Sequence, residues 1–422
     1  MKKIISLLLT ATMVLSLAAC GNNGSQDSGS NTSDPGGESG GVKYSQGVTD
    51  TTVLIANSAA TSGSYAPVGV PFNAGIQAYL DMVNAEGGID GRTIEFLHTD
   101  DEFDPVKGKA ALQNFVEDEK VFAIVGHFGT PVVGATIEDL KSYGIPAVYF
   151  ATGIGQLYAQ NATTNEEGYN IFPVQPIYTT EGQIMVARGV GTFDATKIGI
   201  IYTNDDAGKD MLTGAEEKCK ELGIDYVAEQ VAAGSADVSA AVTSIKNSGA
   251  DFIICAAIQA TTIVKELAAQ GNTAPVITTY VNVSSAIPPL VADDIAGKFD
   301  VYGNGWVAYD DEEALALYQE WVGKIDESYS MNAYAQTGWI AAHFFCEGLR
   351  RIEGQDITWE NYMNALETGG PIQNPFGGKI DYADGNRVGT QEMNLSKINP
   401  DVEGGWELVD GLQSMETLLS AG

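Results

Sequence analysis

Three loops of this chain combine glycine and hydroxyl residues in a way that could hold a carboxylate or another polar group of a ligand. They span residues 57–65, 126–135 and 151–155, and each follows an apolar run and leads into a helical pattern. Free N–H groups at a helix N-terminus, next to a hydroxyl, form a good carboxylate receptor. The same composition can simply end a strand and cap a helix. Three such loops on one face favour a ligand site over capping alone.

Acidic and histidine residues offer little support for a metal site. The run Asp100–Asp104 could be read as a divalent-metal cluster. However, Asp104 precedes Pro105 and is predicted to cap a helix, so a solvated acidic turn explains the run better. His98, His127 and His343 show no metal-ligand spacing. The sequence therefore predicts neither a metal nor a cofactor.

Catalytic motifs are also missing from the strand-end loops. No Gly-x-Ser-x-Gly elbow, phosphate loop or dinucleotide fingerprint follows a predicted strand. A nucleophile, a base and an oxyanion site cannot be assembled from the residues in view. An exported hydrolase on a similar fold stays as a distant alternative. The sequence predicts a protein that binds a ligand and is not an enzyme.

The N-terminus carries the pattern of an export signal. Two lysines precede an apolar run at residues 4–14, which is followed by Leu17-Ala-Ala-Cys20. This ending resembles the bacterial lipobox, whose cysteine becomes the diacylated first residue of the mature protein. A short membrane anchor followed by a chance cysteine is the alternative, but the run is short for a span of about 20 residues. We therefore predict a signal peptide at 1–19, lipidation of Cys20, and an extracytoplasmic, membrane-anchored protein.

Composition separates a linker from the folded part and excludes one class of partner. Residues 21–41 contain no aliphatic or aromatic side chain, so they cannot bury enough apolar area to fold, and we predict a flexible tether over 20–50. The net charge of −33 repels polyanions, so no nucleic-acid partner is expected. Cys219, Cys255 and Cys346 lack close spacing and are predicted to be buried and unpaired.

The elements that position the three loops follow an alternating pattern. From residue 51 to about 300, apolar strand-like runs alternate with helical periods, in one series up to 150 and a second that begins near Lys197. Continuous apolar strands joined by helices imply parallel sheets covered on both faces, hence two doubly wound α/β domains. Ligands bind beyond the carboxyl ends of such strands. The later helices are predicted to complete these two domains.

Five runs carry a family resemblance that covers the chain from about residue 51. They are Ala85-Glu-Gly-Gly-Ile-Asp-Gly-Arg92, Asp100–Pro105, Val125-Gly-His127, Phe150-Ala-Thr-Gly153 and Tyr202-Thr-Asn-Asp-Asp-Ala-Gly-Lys209. In this order they resemble the amino-acid-type periplasmic binding proteins of ATP-driven importers, of which the leucine/isoleucine/valine-binding proteins are the best known.

The resemblance implies a type I, Venus-flytrap fold in which two α/β lobes are joined by three hinge crossings. The crossings would fall near 172–175, 302–306 and 379–384. Lobe 1 would then contain residues 51–174 and 306–378, and lobe 2 residues 175–305 and 379–422. Three strands at the joint permit hinge bending with few dihedral changes.

The family pattern also suggests ligand-binding residues. In these proteins a loop hydroxyl and backbone amides of lobe 1 hold the ligand carboxylate, and the matching positions here are Thr130, Ala151 and Gly153. The aromatic lining would come from three tyrosines: Tyr65, Tyr178 and Tyr334.

Two departures from the leucine-type pattern bear on the ligand. Where those proteins hold the ligand ammonium with a tyrosine and a glutamate of lobe 2, this chain has Ile258 and Tyr280. A buried ammonium without an anionic partner is costly, so a hydrophobic or aromatic carboxylate or a neutral amide fits better than an ordinary α-amino acid. Phe103 and Gly129 stand where leucine-type members have a cysteine pair.

The combined interpretation is an extracytoplasmic substrate-binding lipoprotein of an ABC importer. It would act as a monomer, capture a small-molecule ligand (a branched-chain or hydrophobic amino acid, or a related carboxylate or amide) by lobe closure, and dock on an ABC permease complex. The alternative is a ligand sensor that presents the same closed form to a signalling receptor. A ligand that favours both lobe arrangements equally would shift neither population.

Overall fold

The computed structural model describes residues 44–163, 166–258 and 260–420. The predicted signal peptide, Cys20 and most of the predicted tether lie outside these ranges. Among the described helices, none is both long enough and apolar enough to cross a membrane.

The last residues of the predicted tether belong to the folded part. Tyr44 forms a parallel β-bridge with Ile357. The Gln46 amide donates a hydrogen bond to the Val121 carbonyl at 3.0 Å. Residues 44–50 therefore pack on lobe 1, although the sequence analysis placed them in the tether.

Lobe 1 is built on a five-stranded sheet in the order β2-β1-β3-β4-β5, with every neighbouring pair parallel. Its N-terminal elements are β1 (Thr52–Ala59), α1 (Ala66–Ala85), β2 (Thr93–Asp100), α2 (Pro105–Glu117), β3 (Ala123–Phe128), α3 (Thr130–Tyr143), β4 (Ala147–Ala151) and β5 (Ile171–Phe172).

Lobe 2 is built on a seven-stranded sheet. Its first elements are α4 (Tyr178–Phe193), β6 (Lys197–Thr203), α5 (Asp206–Leu222), β7 (Asp225–Val231), α6 (Ser239–Ser248), β8 (Phe252–Ala256), α7 (Ala260–Ala269), β9 (Val276–Thr278), α8 (Pro288–Ile295) and β10 (Val301–Gly305). The chain then returns to lobe 1 and comes back to this sheet at its end.

The C-terminal third contributes to both lobes. Its elements are α9 (Glu312–Gly323), α10 (Ala333–Arg350), α11 (Trp359–Thr368), β11 (Ile372–Gln373), β12 (Lys379–Ile380), β13 (Glu392–Ile398), β14 (Trp406–Ser414) and α12 (Met415–Ser420). Helices α9 and α10 pack on α1 of lobe 1, whereas β13 and β14 extend the sheet of lobe 2. The prediction that the long C-terminal helices complete the earlier domains is confirmed.

The strand sequences account for the layered architecture. Every residue of β3 and of β8 is buried, as expected for strands covered by helices on both faces. Asp104 caps α2 as predicted, because its carboxylate accepts hydrogen bonds from the Val106 and Lys107 N–H groups. The predicted α/β fold of two doubly wound lobes is confirmed.

One edge of the lobe 2 sheet is not parallel. The full strand order is β14-β13-β10-β9-β8-β6-β7, in which β13 pairs antiparallel with both β10 and β14. Consecutive strands joined without a crossover helix must run antiparallel, and β13 and β14 are joined in this way.

Three chain segments connect the lobes. The first lies between β5 (Ile171–Phe172) and α4 (Tyr178–Phe193). The second follows β10 and leads to α9, directly after the predicted segment. The third follows later than predicted: β12 pairs with β11 of lobe 1, and Arg387 bonds to the Tyr169 carbonyl of lobe 1. The crossing itself is therefore residues 388–391, and residues 379–387 remain with lobe 1.

The crossings are hydrogen bonded to one another. The Thr390 N–H donates to the Val174 carbonyl at 2.9 Å, which joins the third crossing to the first. The Asn394 amide donates to the Val307 carbonyl at 2.8 Å, which joins the start of β13 to the second. The hinge therefore consists of neighbouring backbone segments that are joined by hydrogen bonds.

The three cysteines behave as predicted. Cys219, Cys255 and Cys346 are buried and unpaired. Burial raises the pKa of each thiol to about 12, so none is a reactive thiolate at neutral pH.

Candidate ligand-binding site

A cavity of about 250 Å³ lies between the two lobes, at the carboxyl ends of the parallel strands. Seven of the eight residues proposed from the sequence line it: Tyr65, Thr130, Ala151 and Tyr334 from lobe 1, and Tyr178, Ile258 and Tyr280 from lobe 2. The structure thus brings together residues that are more than 250 positions apart in the chain. Their contact with a ligand stays a prediction.

Gly153, the eighth residue, is a contact point between the lobes and does not line the cavity. Its carbonyl accepts a hydrogen bond from the Tyr178 N–H at 2.9 Å. A Cβ at this position would overlap the Pro176 carbonyl oxygen and would lie 2.6 Å from the Tyr280 hydroxyl. Only glycine leaves room for lobe 2 to approach this closely.

Thr130 is positioned by the turn that precedes it. Gly129 has a φ of 93°, a conformation that favours glycine, and it ends β3 so that Thr130 begins α3. A Cβ on Gly129 would lie 2.6 Å from the ring of Phe103, so the two residues predicted to stand at the leucine-type cysteine positions are in contact. The Thr130 hydroxyl lies 2.8 Å from the Thr152 hydroxyl.

Tyr178 of lobe 2 lies beside the groups assigned to a ligand carboxylate. The Thr152 hydroxyl, the Gly153 amide and the Thr130 hydroxyl lie near enough to its phenol oxygen to influence the pKa of Tyr178. Burial raises the pKa of that phenol, and these three partners partly oppose the increase. In this conformation the Tyr178 hydroxyl lies beside the groups that the family resemblance gave to a carboxylate.

Tyr280 forms the neighbouring wall. Its ring stacks on that of Tyr178, with centroids 5.7 Å apart and planes 22° apart. Its hydroxyl donates to the Pro176 carbonyl at 3.1 Å and faces Gln175 of the first crossing. The two tyrosines therefore connect lobe 2 to the hinge.

A buried carboxyl group that the sequence analysis missed holds Tyr280 in place. Glu181, in the first turn of α4, is fully buried. It accepts hydrogen bonds from the Thr279 hydroxyl at 2.7 Å and from the Tyr280 N–H at 2.8 Å. Burial raises the pKa of this carboxyl to about 8. In sequence it looks like an ordinary acidic residue at a helix start, and no local signal marks it as buried.

Glu181 should make the stability of the protein depend on pH. Its pKa rises from 4.5 to about 8 on folding, so the folded protein holds this proton more tightly between these values. The stabilising contribution of this proton to the free energy of unfolding is fully present below about pH 4.5 and is lost as the pH rises through about 8. The slope is at most about 1.4 kcal/mol per pH unit. Urea unfolding of Glu181→Gln, which cannot ionise, should not show this fall.

The control for this comparison is Glu312→Gln, because Glu312 is an exposed acid in the first turn of α9. The free energy of unfolding of wild type relative to Glu181→Gln should decrease between pH 5 and pH 8.5. If the difference in unfolding free energy between wild type and Glu181→Gln stays constant with pH, then the protonation state of Glu181 is the same in the folded and the unfolded protein.

The cavity is aromatic and lacks positive charge. The Tyr65 ring stacks on that of Phe103 at 3.7 Å, and Trp306 contributes a buried indole at the hinge. No lysine, arginine or histidine is among the described lining residues, and the charged ones are two exposed acids, Asp310 and Glu403. This lining favours an apolar ligand and disfavours one with net negative charge.

The floor of the cavity is formed by the hinge, which the sequence analysis did not consider. Gly305 and Asn394 face each other across the antiparallel pair of β10 and β13, and both line the cavity. Asn394 is 3% exposed, and no described protein group donates to its Oδ1 atom.

The two lobes are hydrogen bonded to each other. The Tyr334 hydroxyl of lobe 1 donates to the Val281 carbonyl of lobe 2 at 3.1 Å. The Gly155 N–H of lobe 1 donates to the Asp210 carboxylate of lobe 2 at 2.8 Å. The protein is therefore described in a closed conformation.

Within the described ranges, no group of three or more histidine, cysteine, aspartate or glutamate side chains is arranged to hold a metal ion. The acidic run at 100–104 is used for turn and cap contacts. The Asp100 carboxylate, for example, accepts a hydrogen bond from the Thr61 N–H at 3.0 Å.

Comparisons with known proteins agree with this geometry. A family model described as periplasmic binding protein matches residues 52–405. The chain is 24% identical over 331 residues to the Leu/Ile/Val-binding protein homolog 1 of Brucella abortus, covering 77% of this chain and 85% of the relative.

Solved structures with similar folds cover nearly all of the chain. A branched-chain amino acid ABC transporter protein from Thermus thermophilus with bound valine has a TM-score of 0.76 at 17% identity, covering 88% of this chain and 98% of the other. A fatty acid ABC transporter substrate-binding protein from Thermomonospora curvata has a TM-score of 0.73 at 20% identity, covering 90% and 97%.

Proposed function

Because the chain belongs to the periplasmic binding protein family, we propose that it is the extracytoplasmic, substrate-binding lipoprotein of an ABC importer. The family binds ligands and does not transform them, so the protein is not an enzyme. It captures a small, largely apolar organic molecule between its lobes as a monomer. The closed form then docks on the permease complex.

The observation that carries this proposal is the enclosed aromatic cavity between two lobes joined at a bonded hinge. Ligand pockets are typically apolar clefts with a few placed polar groups, and they often lie between domains. A ligand that contacts both lobes stabilises the closed arrangement over the open one. In an importer, the closed arrangement is what signals to the permease that ligand is bound.

Among the ligands under consideration, the cavity favours a neutral amide. The Thermus thermophilus structure holds valine, and the Thermomonospora curvata protein belongs to a fatty acid transporter, so both kinds of ligand carry a carboxylate. Here the Tyr178 hydroxyl lies beside the donors assigned to a carboxylate, and no basic side chain is among the described residues that line the cavity. Ile258 and Tyr280 offer no anion to an ammonium group. Burying an unpaired charge is expensive, whereas an amide needs only hydrogen bonds.

A thermal-shift screen tests the ligand class. The compounds are leucine, its deaminated analogue, benzoate and benzamide. We expect benzamide to raise the melting temperature, because a ligand at 100 times its Kd adds about 2.7 kcal/mol of stability. Stabilisation by leucine alone would contradict this ligand class while leaving the family assignment intact.

The lipid anchor is tested at Cys20. Replacing Cys20 by alanine should move the protein from the membrane fraction to the soluble fraction, because stable anchoring depends on the acyl chains. The control is Cys219→Ala, which removes a buried cysteine and should stay with the membrane. A Cys20→Ala protein that sediments with membranes would contradict lipid anchoring.

A further inference from the structure

The cavity continues from the hinge onto the last two strands of lobe 2. Gly305 of β10 lines it, and so do Ser396 of β13 and Leu408 of β14, which pair with each other. β13 also pairs with β10, so the three strands are neighbours in one sheet. Because adjacent strands lie about 4.8 Å apart, the cavity wall extends about 10 Å across the sheet, from β10 to its edge strand β14.

Apolar side chains dominate this part of the cavity, which we call the hairpin arm. The Trp406 indole is fixed there, because its Nε1–H donates to the Ser284 carbonyl at 3.0 Å. Glu403, an exposed acid, also belongs to the lining and disfavours a second negative charge nearby. The apolar residues of the hairpin arm are Val283, Trp406, Leu408 and Leu412 from lobe 2 and Met331 from lobe 1.

The edge strand is irregular where it lines the hairpin arm. The pairing of β14 with β13 shifts once between Met393 and Leu395 and again between Leu395 and Ser396. Such bulges redirect side chains and often occur at sheet edges beside functional sites. Leu408 and Leu412 lie at the two ends of this irregular stretch, and both line the cavity. The irregular backbone therefore accompanies the placement of two leucines in the cavity wall.

The hairpin arm is open to a ligand. Leu408 is 55% exposed although it lines the cavity. A Cβ added to Gly411, another lining residue, would have no described atom within 4 Å. An exposed leucine alone is ordinary on a protein surface, but this one is continuous with an enclosed aromatic cavity. Covering it with an apolar ligand group removes apolar area from water and so adds affinity.

We propose that the hairpin arm binds the apolar tail of an elongated amide ligand. The inference rests on the proposed function and specifies the ligand class, since a chain that reaches β14 buries more apolar area than a compact amide. The hydroxyl groups of Thr130 and Tyr178, which come from other elements, leave the polar end of the ligand outside the hairpin arm. Leu408 is then a specificity-determining residue for tail length.

A series of unbranched amides tests the hairpin arm. Affinities of wild type for butanamide, hexanamide and octanamide are measured by calorimetry. We expect affinity to rise with tail length, by up to about fourfold for each CH₂ group that becomes buried. Equal affinity for butanamide and octanamide would overturn the proposal.

Two neighbouring variants separate the hairpin arm from a general preference for apolar compounds. Leu408→Ala should weaken octanamide binding about threefold to tenfold and leave butanamide binding unchanged. Val409→Ala is the control, because Val409 is 50% exposed in the same strand but is not among the lining residues. Both positions are exposed, so neither substitution should impair folding. Equal effects of the two variants on octanamide, or an equal loss of both amides in Leu408→Ala, would contradict the role of Leu408.

The outcomes also distinguish this inference from the proposed function. If butanamide and octanamide bind wild type with the same affinity, the amide-binding function is supported and the hairpin-arm proposal is wrong. If no amide of the series binds, the ligand class itself is wrong and the hairpin-arm proposal falls with it.

Discussion

Replacing Gly153 by alanine is expected to hold the two lobes apart and to weaken ligand binding by a factor of about 5 to 150. The added methyl group would overlap the Pro176 carbonyl oxygen and would come within 2.6 Å of the Tyr280 hydroxyl. Overpacking of this kind typically costs about 1–3 kcal/mol. The open arrangement relieves the overlap, so the penalty falls on the closed state and is subtracted from the binding free energy.

A matched control lies two residues away. At Gly155 the nearest atom to an added Cβ is the Asp210 carboxylate oxygen at 3.5 Å, which is an ordinary contact. Gly155→Ala should therefore bind benzamide as wild type does. Small-angle X-ray scattering should show a larger radius of gyration for Gly153→Ala than for Gly155→Ala. Identical scattering and identical affinity in the two variants would show that Gly153 does not limit closure.

Replacing Arg387 by methionine is expected to reduce the free energy of unfolding by about 3–5 kcal/mol. Arg387 is fully buried, and its guanidinium donates to the carbonyls of Tyr382 and Tyr169 and to the Glu367 carboxylate at 3.2 Å. It also lies over the ring of Phe172, 4.4 Å from the centroid. Methionine would fill the volume but would leave Glu367 and the carbonyls without their donor.

Urea unfolding measures this loss, and Lys324→Met serves as the control. Lys324 forms an exposed ion pair with Glu320 at 3.0 Å, and exposed pairs of this kind contribute about 0–1 kcal/mol. The same exchange of a cation for methionine should therefore have a small effect at 324. Equal effects at the two positions would show that the buried pair does not stabilise the third crossing.

Arg387 and Gly153 together explain how the hinge can be held in place while the lobes still close on a ligand. Arg387 fastens the segment before the third crossing to lobe 1, and Thr390 bonds to the first crossing. Gly153, in contrast, offers no side chain where the lobes meet. Lobe closure needs the fixed hinge segments to guide the motion. It also needs the free space at Gly153, where the lobes meet.

The sequence alone was enough for the fold class and for seven of the residues that line the cavity. Fully apolar strands such as β3 and β8 alternate with helical periods, and this local pattern decides which faces are buried. The Asp104–Pro105 start of α2 was predicted from local chemistry. Loops at the carboxyl ends of parallel strands must gather at one edge, so the loops that contain Thr130 and Ala151 could be placed together from the pattern, and the family resemblance singled out these two residues.

Only the tertiary structure decided what those residues contact. The Glu181 carboxyl meets the Tyr280 N–H across 99 positions of sequence, and nothing near Glu181 in the chain shows that it is buried. The same holds for the Tyr178 hydroxyl among the lobe 1 donors and for Asn394 beside Val307. Periodicity reports on neighbours within a few residues, whereas these contacts depend on how two separately built lobes and their crossings meet.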